Sequence, residues 1–370
     1  MKTIFLLATL VAVFSSSVLA EPLCQKNFRA LSPEKQAELK GRVTKSGVTL
    51  DKILKSGNEI ADSSIGCYAG DAESYSAFAP MFDGVLADYH HAPAGYKQTK
   101  DYDVNRLPVL DASVAKDVLS TRVRVARDLV GYPFESSMTR AQRRALEKEA
   151  LAGMQAAFKG TEFAGAYYSS TKLSPAEKDA LIAKHQLYKD ADKDPYLTSA
   201  GISSDWPVAR GAYISKDGGL QIWINEEDHL RIMYLEKGSD VKHASAQLFK
   251  ALDLLGGHLK FARDERYGYL TSCPSNVGTA LRASIHLKRP AASEQDIHKI
   301  CAPAGLAVRG TGGEGTDVVG GVYDISYKRR MGRTESQLVA DFVERVNAVF
   351  AGKGWSTPDA SADHEDQDNL

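Results

Sequence analysis

The chain has 370 residues, 43% of them hydrophobic and 25% charged, with a formal net charge of −1. That is an ordinary globular composition, long enough for two domains. Near-neutral charge gives no reason to expect nucleic acid or an acidic membrane surface as the main partner, so any cationic chemistry must be local. Four cysteines in so long a chain exclude a disulfide scaffold, and no Cys-x-x-Cys pair or Cys/His cluster has zinc spacing, so no metal ligand is assigned.

Residues 1–20, MKTIFLLATLVAVFSSSVLA, place Lys2 before an apolar run from Ile4 to Phe14, with small residues leading to Ala20. This is the layout of a secretory leader cut after Ala20, and the run is too short to span a membrane. It competes with a buried N-terminal helix, which Ser15-Ser16-Ser17 would interrupt. The leader implies a secreted or periplasmic protein without stable membrane insertion. Cys24, Cys67, Cys273 and Cys301 then lie in a disulfide-permissive setting, and their pairing stays open.

Residues 21–100 form a candidate helical domain. Ser32 and Pro33 supply an N-cap and first helical position, and TLDKILKSG reads as a second amphipathic helix ending at Gly57. Residues 90–108 carry little periodicity and read as a linker, in which His90 and His91 are solvated rather than metal-bound. Residues 101–352 alternate strands and helices irregularly. Helical periodicity covers TRAQRRALEKEALAGMQAAF, a capping box opens at Ser174 with Glu177, and a hairpin turns at Asp217-Gly218-Gly219. A further helix covers SDVKHASAQLFKALDLLGG. The expected class is α+β: a small all-α N-terminal domain and a larger domain with an antiparallel sheet flanked by helices. Residues 353–370 are acidic and lack a core pattern, as in a disordered tail.

RGTGGEGTD, residues 309–317, holds a G-x-G-x-x-G spacing. A dinucleotide cradle needs a helix after the glycines, whereas TDVVGGVYDISYKRR favours strand, so the cradle is rejected for a glycine-rich hairpin loop. No G-x-x-x-x-G-K-[ST] occurs either. Instead, Arg122, Arg124, Arg231, Arg282 and Arg309 recur in polar settings near strand ends. Arg122 and Arg124 alternate at strand spacing and so share a face. One such pair is usually a solvated edge; five arginines can line a polyphosphate site through bidentate contacts. Glu226, Glu227 and Asp228 end an apolar strand, and mutual repulsion lets at most one face a buried site. Glu314 offers a second carboxylate, and two facing carboxylates suit a planar guanidinium. Cys273, beside Ser275 and these arginines, is expected to have its pKa lowered and to favour thiolate.

STRVRVAR, WINEEDHLRI, CPSNVGTALRASIH and RGTGGEGTDVVGGVYDISYKRRMGRTE occur in an order and spacing similar to the phosphagen (ATP:guanidino) kinases, and are most like the arginine kinases among them. The similarity runs from about residue 30 to about residue 350. It implies a reversible transfer of the ATP γ-phosphoryl group to the guanidino group of L-arginine, with Mg2+ held through phosphates and water. Carried over residue by residue, it assigns Ser120, Arg122, Arg124, His185, Arg231, Arg282, His286, Arg309, Thr311, Gly312, Gly313 and Glu314 to ATP. Ser63, Ser64, Ile65 and Tyr68 are assigned to the guanidino substrate together with Glu227, Cys273 and Glu314, which form the catalytic set. Glu227 is the base, and the glycine stretch becomes a lid that closes over the substrate. Ser64 stands where the family usually has glycine, Cys67 where it has an apolar residue and Lys193 where it commonly has arginine. These departures leave other guanidino substrates open, taurocyamine-like compounds included. A protein-arginine kinase and a catalytically silent, exported nucleotide-binding protein also remain as alternatives. The family works where ATP is plentiful, which sets a cytoplasmic location against the leader. Oligomeric state is not readable.

Overall fold

The computed structural model describes residues 21–92, 95–311 and 316–352. The leader, the tail from residue 353 and the site candidates Gly312, Gly313 and Glu314 lie outside the described residues.

Helices begin in the N-terminal part where the sequence offers capping oxygens. Ser32 Oγ accepts the Lys35 N–H at 3.3 Å and opens α2 (Pro33–Lys40), and Thr49 caps α3 (Leu50–Glu59) in the same way. Helix α3 runs two residues past Gly57, where the sequence had suggested its end, and extended backbone at Ile60 closes it instead. Helix α1 (Leu23–Arg29) precedes them, α4 (Glu73–Ala77) and α5 (Ala79–His90) follow, and their buried side chains, Ile53, Phe78, Met81, Phe82 and Val85 among them, form one cluster. That cluster also takes in Phe134, Tyr267, Leu270 and Cys273 from the second half of the chain, so the two halves share a core where they meet. Cys24 of α1 is disulfide-bonded to Cys67, with Cα atoms 5.9 Å apart.

His90 departs from the solvated-linker expectation. It is the last residue of α5, fully buried, and its Nε2 lies 2.9 Å from the Pro274 carbonyl oxygen. A carbonyl only accepts, so Nε2 carries the hydrogen. Burial lowers the imidazole pKa to about 3 and the ring is neutral. The segment beyond it lacks regular structure but is tied down, for example by Gln98 Nε2 donating to the Arg333 carbonyl at 2.8 Å.

After the short helix α6 (Ala112–Ala115), the second half carries eight strands of one sheet: β1 (Val118–Arg127), β2 (Gly165–Ser169), β3 (Gly211–Ser215), β4 (Leu220–Ile224), β5 (Leu230–Lys237), β8 (Leu281–Lys288), β9 (Leu306–Arg309) and β10 (Val322–Tyr327). A separate two-stranded ribbon pairs β6 (Arg263–Asp264) with β7 (Gly268–Tyr269). The large sheet runs β2-β3-β4-β5-β1-β8-β10-β9 with every pairing antiparallel. Side chains alternate across a strand, and here the alternation separates two chemistries. Val123, Val125, Ile232, Ala283, Ile285 and Ile325 point to one face and pack with α10 (Val241–Gly256) and α12 (Glu335–Phe350), and α7 (Arg140–Phe158) lies against α10. Helix α7 opens on a Thr139/Gln142 capping box; α8 (Pro175–Ala183) opens on Ser174/Glu177, followed by α9 (Pro195–Ser199). Helix α11 (Glu294–Cys301) precedes β9.

Candidate functional site

The other face of the sheet is cationic, and strand register makes it so. Arg124 of β1 stands opposite Arg282 of β8, Arg231 of β5 opposite Ala126, His286 opposite Ser120, and Asp324 of β10 opposite both His286 and Arg309. Opposed residues in an antiparallel pair share a face. Hence Ser120, Arg122, Arg124, Arg231, Arg282, His286 and Arg309, expected from the sequence to act together, do lie on one face, carried by four strands.

Like charges so arranged repel. Burial, and then Arg231, Arg282, Arg122 and Arg309, hold the Arg124 guanidinium well below its ordinary range. Burial, followed by Arg309, lowers Arg282 to about 9, although Asp324 opposes the shift. Sequence reasoning missed Asp324. Its Oδ2 is 3.3 Å from Arg122 Nη2, and its side chain is 1% exposed. Burial alone would raise its pKa, but Arg122, Arg282, His286 and Arg309 outweigh it and keep the carboxyl ionised. Arg282 also donates to Ser326 Oγ, while its buried Nε has no partner among the described residues. A buried donor left unpaired is costly, and this one faces a surface short of negative charge. The His185 and His286 rings stand beside the row with centroids 5.8 Å apart, and Ser120 Oγ shares a hydrogen bond with His286 Nδ1 at 3.0 Å. Both imidazoles are lowered, chiefly by burial; Arg122 lowers them further while Asp324 opposes the shift, most at His286.

At the end of the row stand the acids between β4 and β5. Asn225, at φ 55°, fixes the turn: its side-chain amide donates to the Ala209 carbonyl at 2.7 Å and the Arg143 carbonyl at 3.1 Å. Asp228 points inward, accepting the Ser272 N–H at 2.7 Å, and Asp128 accepts the His229 N–H at 2.9 Å. The expectation that only one carboxylate faces the site is corrected. Glu226 and Glu227 both reach Arg231 Nη2, at 3.0 and 2.8 Å, because one guanidinium offsets their repulsion. Burial, then Asp228, raises the Glu227 pKa to about 8 against the pull of Arg231.

Cys273 overturns a second expectation. Its sulfur is 3.0 Å from Ser275 Oγ, as the neighbouring sequence implied, but the residue is 6% exposed. Burial, reinforced by Glu227, pushes the thiol far up, and the hydrogen bonds of Ser275 do not compensate. These surroundings favour the thiol over the thiolate, against the expectation. The helical half clamps this segment: Ala69 N–H donates to the Ser272 carbonyl at 2.7 Å, Tyr75 Oη to the Thr271 carbonyl at 2.8 Å and His90 to Pro274. Ala69 directly follows residues 60–68, which contain Ser63, Ser64, Ile65 and Tyr68, and Ile65 belongs to the same buried cluster as Cys273. Lys193 is exposed, with its Nζ 3.9 Å from Asp190.

The strands on either side of the glycine segment pair with each other, and among the described residues no helix follows it as a dinucleotide cradle would need. Strand β9 pairs antiparallel with β10, and the Thr311 N–H donates to the Asp317 carbonyl at 3.1 Å. A Cβ on Gly310 would sit 1.7 Å from the Thr316 carbonyl oxygen, so only glycine fits. Among the described residues no group of three or more His, Cys, Asp or Glu could hold a metal ion, and no helix is long and apolar enough to cross a membrane.

Comparisons with known proteins agree with this geometry. Residues 28–87 match the N-terminal domain of the ATP:guanido phosphotransferases and residues 147–351 match their C-terminal catalytic domain. An arginine kinase of Procambarus clarkii is 41% identical over 83% of this chain and 86% of its own length, and one of Scylla serrata is 40% identical over 84% and 87%. Among solved structures, a lombricine kinase superposes with a TM-score of 0.81 at 31% identity, covering 90% of this chain and 92% of that one. A duplicated taurocyamine kinase of Schistosoma mansoni, with transition-state analogue components bound, gives 0.82 at 34% identity over 90% of this chain and 47% of its own.

Proposed function

This chain belongs to the ATP:guanido phosphotransferase family and is a phosphagen kinase, and on that premise we propose that it transfers the γ-phosphoryl group of ATP reversibly to the guanidino group of L-arginine. The observation that carries this reading is the row of five arginines ending at Glu226, Glu227 and Cys273. Phosphoryl transfer asks a protein chiefly for in-line positioning and dispersal of charge. Arg122, Arg124, Arg231, Arg282 and Arg309 hold the phosphate oxygens, and the repulsion among them is relieved when the polyanion enters. Ser120, His185, His286 and Thr311 bound the nucleotide. Among the described residues none is grouped to hold a metal ion, so Mg2+ would be held by the nucleotide and would supply further neutralisation of the phosphates beside the arginines.

Glu227 receives the guanidinium, whose positive charge favours the carboxylate. A new N–P bond forms as the bond from γ-phosphorus to the bridging oxygen breaks, ADP leaves with that electron pair, and the nitrogen's proton passes to Glu227. Cys273 lies against a guanidinium nitrogen and gains thiolate character only once that cation is present. Glu314, assigned from the sequence resemblance, is the second carboxylate of this reading, and Gly312 and Gly313 are assigned with it to the nucleotide. Ser63, Ser64, Ile65 and Tyr68 receive the far end of the substrate.

Arginine is favoured by the arginine kinase relatives; the lombricine and taurocyamine kinase neighbours support a second reading in which another guanidino compound is used. Incubating the purified chain with MgATP and, separately, L-arginine, taurocyamine and lombricine decides between them. Phosphoarginine as the fastest-formed product is the expected result, and its absence refutes the arginine assignment. We propose further that residues 1–20 direct export. The Cys24–Cys67 disulfide supports this, since such bonds persist in oxidising compartments. Sequencing the N-terminus of the native protein tests it, and a retained Met1 in a cytosolic fraction refutes it.

A further inference from the structure

The disulfide sits where the substrate loop meets the rest of the helical half. Cys24 and Cys67 are both fully buried. On either side of the bond, three consecutive residues of α1 hold three consecutive carbonyls of the loop. Leu23 N–H donates to the Ser64 oxygen and Cys24 N–H to the Ile65 oxygen, each at 3.0 Å, and Gln25 Nε2 donates to the Gly66 oxygen at 3.0 Å. The first amides of a helix have no partner within it, so α1 offers its free donors to the loop. The approach is close: a Cβ on Gly66 would meet Pro22 Cβ at 2.4 Å and Gln25 Oε1 at 2.2 Å. At its far end the loop continues into Ala69, whose N–H holds the Ser272 carbonyl beside Cys273. The loop is therefore held by α1 at one end and, through Ala69, hydrogen-bonded at the other to Ser272, the residue before Cys273. The N-terminal family match begins only at residue 28, so Cys24 and its neighbours lie outside the shared pattern.

We propose that α1, fastened by the Cys24–Cys67 bond, is a positioning strap that holds residues 60–68 in the conformation that receives the guanidino substrate. The loop enters at residues 61, 62 and 64, which are exposed, and exposed loop backbone lies at the low end of local stability; a covalent tie at Cys67 removes the open conformations that substrate would otherwise have to select against. The strap acts through the loop and touches no reacting atom. It rests on the functional reading above for the identity of the substrate.

The test uses the full chain with and without dithiothreitol. The dithiol supplies two electrons and two protons, the S–S bond breaks to two thiols, and the reagent becomes its cyclic disulfide. Cys273 and Cys301 are already free thiols, so among the described residues one bond responds. Reduction should speed amide hydrogen exchange across residues 60–68 by about tenfold or more. It should raise KM for L-arginine by roughly 5- to 50-fold while leaving KM for MgATP and kcat at saturation within about twofold. A C24A/C67V double variant should match the reduced enzyme and ignore dithiothreitol. Unchanged exchange, or faster exchange without a selective rise in the guanidino KM, overturns the proposal. No transfer to any guanidino compound would instead strike the functional reading, and the exchange measurement would then judge the strap alone.

Discussion

Replacing Glu227 by Gln should abolish most of the activity and yet stabilise the ligand-free protein in alkaline solution. The carboxyl's ordinary value of 4.5 is raised to about 8 in the fold, first by burial and then by Asp228. A group whose folded value is raised contributes its full stability below the unfolded value and loses it as pH rises through the folded one. Between those limits the unfolded chain releases a proton that the folded protein keeps, at about 1.4 kcal/mol per pH unit. Going from about pH 6 to about pH 9, the wild type should therefore lose about 3 kcal/mol relative to Glu227→Gln, whose amide does not titrate. Arg231 retains Glu226 at 3.0 Å, so the substitution does not strand the guanidinium. Urea unfolding of both proteins across that range measures the difference. In parallel, kcat should fall by roughly 10²- to 10⁴-fold, the contribution expected of a general base, with KM for nucleotide unchanged. Parallel stability curves, or full transfer by the variant, would refute the assignment of Glu227 as a buried, destabilised base.

Asp324→Asn removes the buried anion beside Arg122 and should destabilise the ligand-free protein by about 3–5 kcal/mol. Thermal unfolding should show much of that loss restored by ADP, which supplies negative charge to the same row. Gly310→Ala places a methyl group against the Thr316 carbonyl and should lower kcat with little change in the fold's circular dichroism; unaltered kcat would show the hairpin to be tolerant there. Cys273 should react with iodoacetamide far more slowly than free cysteine at neutral pH, with the rate still climbing above about pH 9. A plateau below about pH 8 would indicate a thiolate in the ligand-free site.

Features that depend on local spacing are legible in the sequence. Arg122 and Arg124 read as one face because strand alternation requires it, and the Thr139, Ser174 and Ser32 caps open helices where their side-chain oxygens allow. Asp324 and Ser326 are legible by the same alternation, as polar positions in an apolar strand, although the arginines are more conspicuous. The misreadings arise from contacts distant in sequence. The arginines near Cys273 suggest a lowered pKa, whereas burial dominates its titration. The polar segment after His90 suggests a solvated ring, whereas its partner, the Pro274 carbonyl, is 184 positions away. Likewise Asp228 turns inward because Ser272 offers an amide, and Cys24 meets Cys67 because α1 folds back on the loop.

A binding surface made by strand parity is all-or-none. Deleting one residue inside Val118–Arg127 would send Arg122 and Arg124 toward α10 and present valines to the nucleotide, exchanging the two sides of the molecule at that strand. Length changes are therefore tolerable at the turns between strands and forbidden within them, so this architecture can diversify its substrate through its loops while its central strands keep one fixed count.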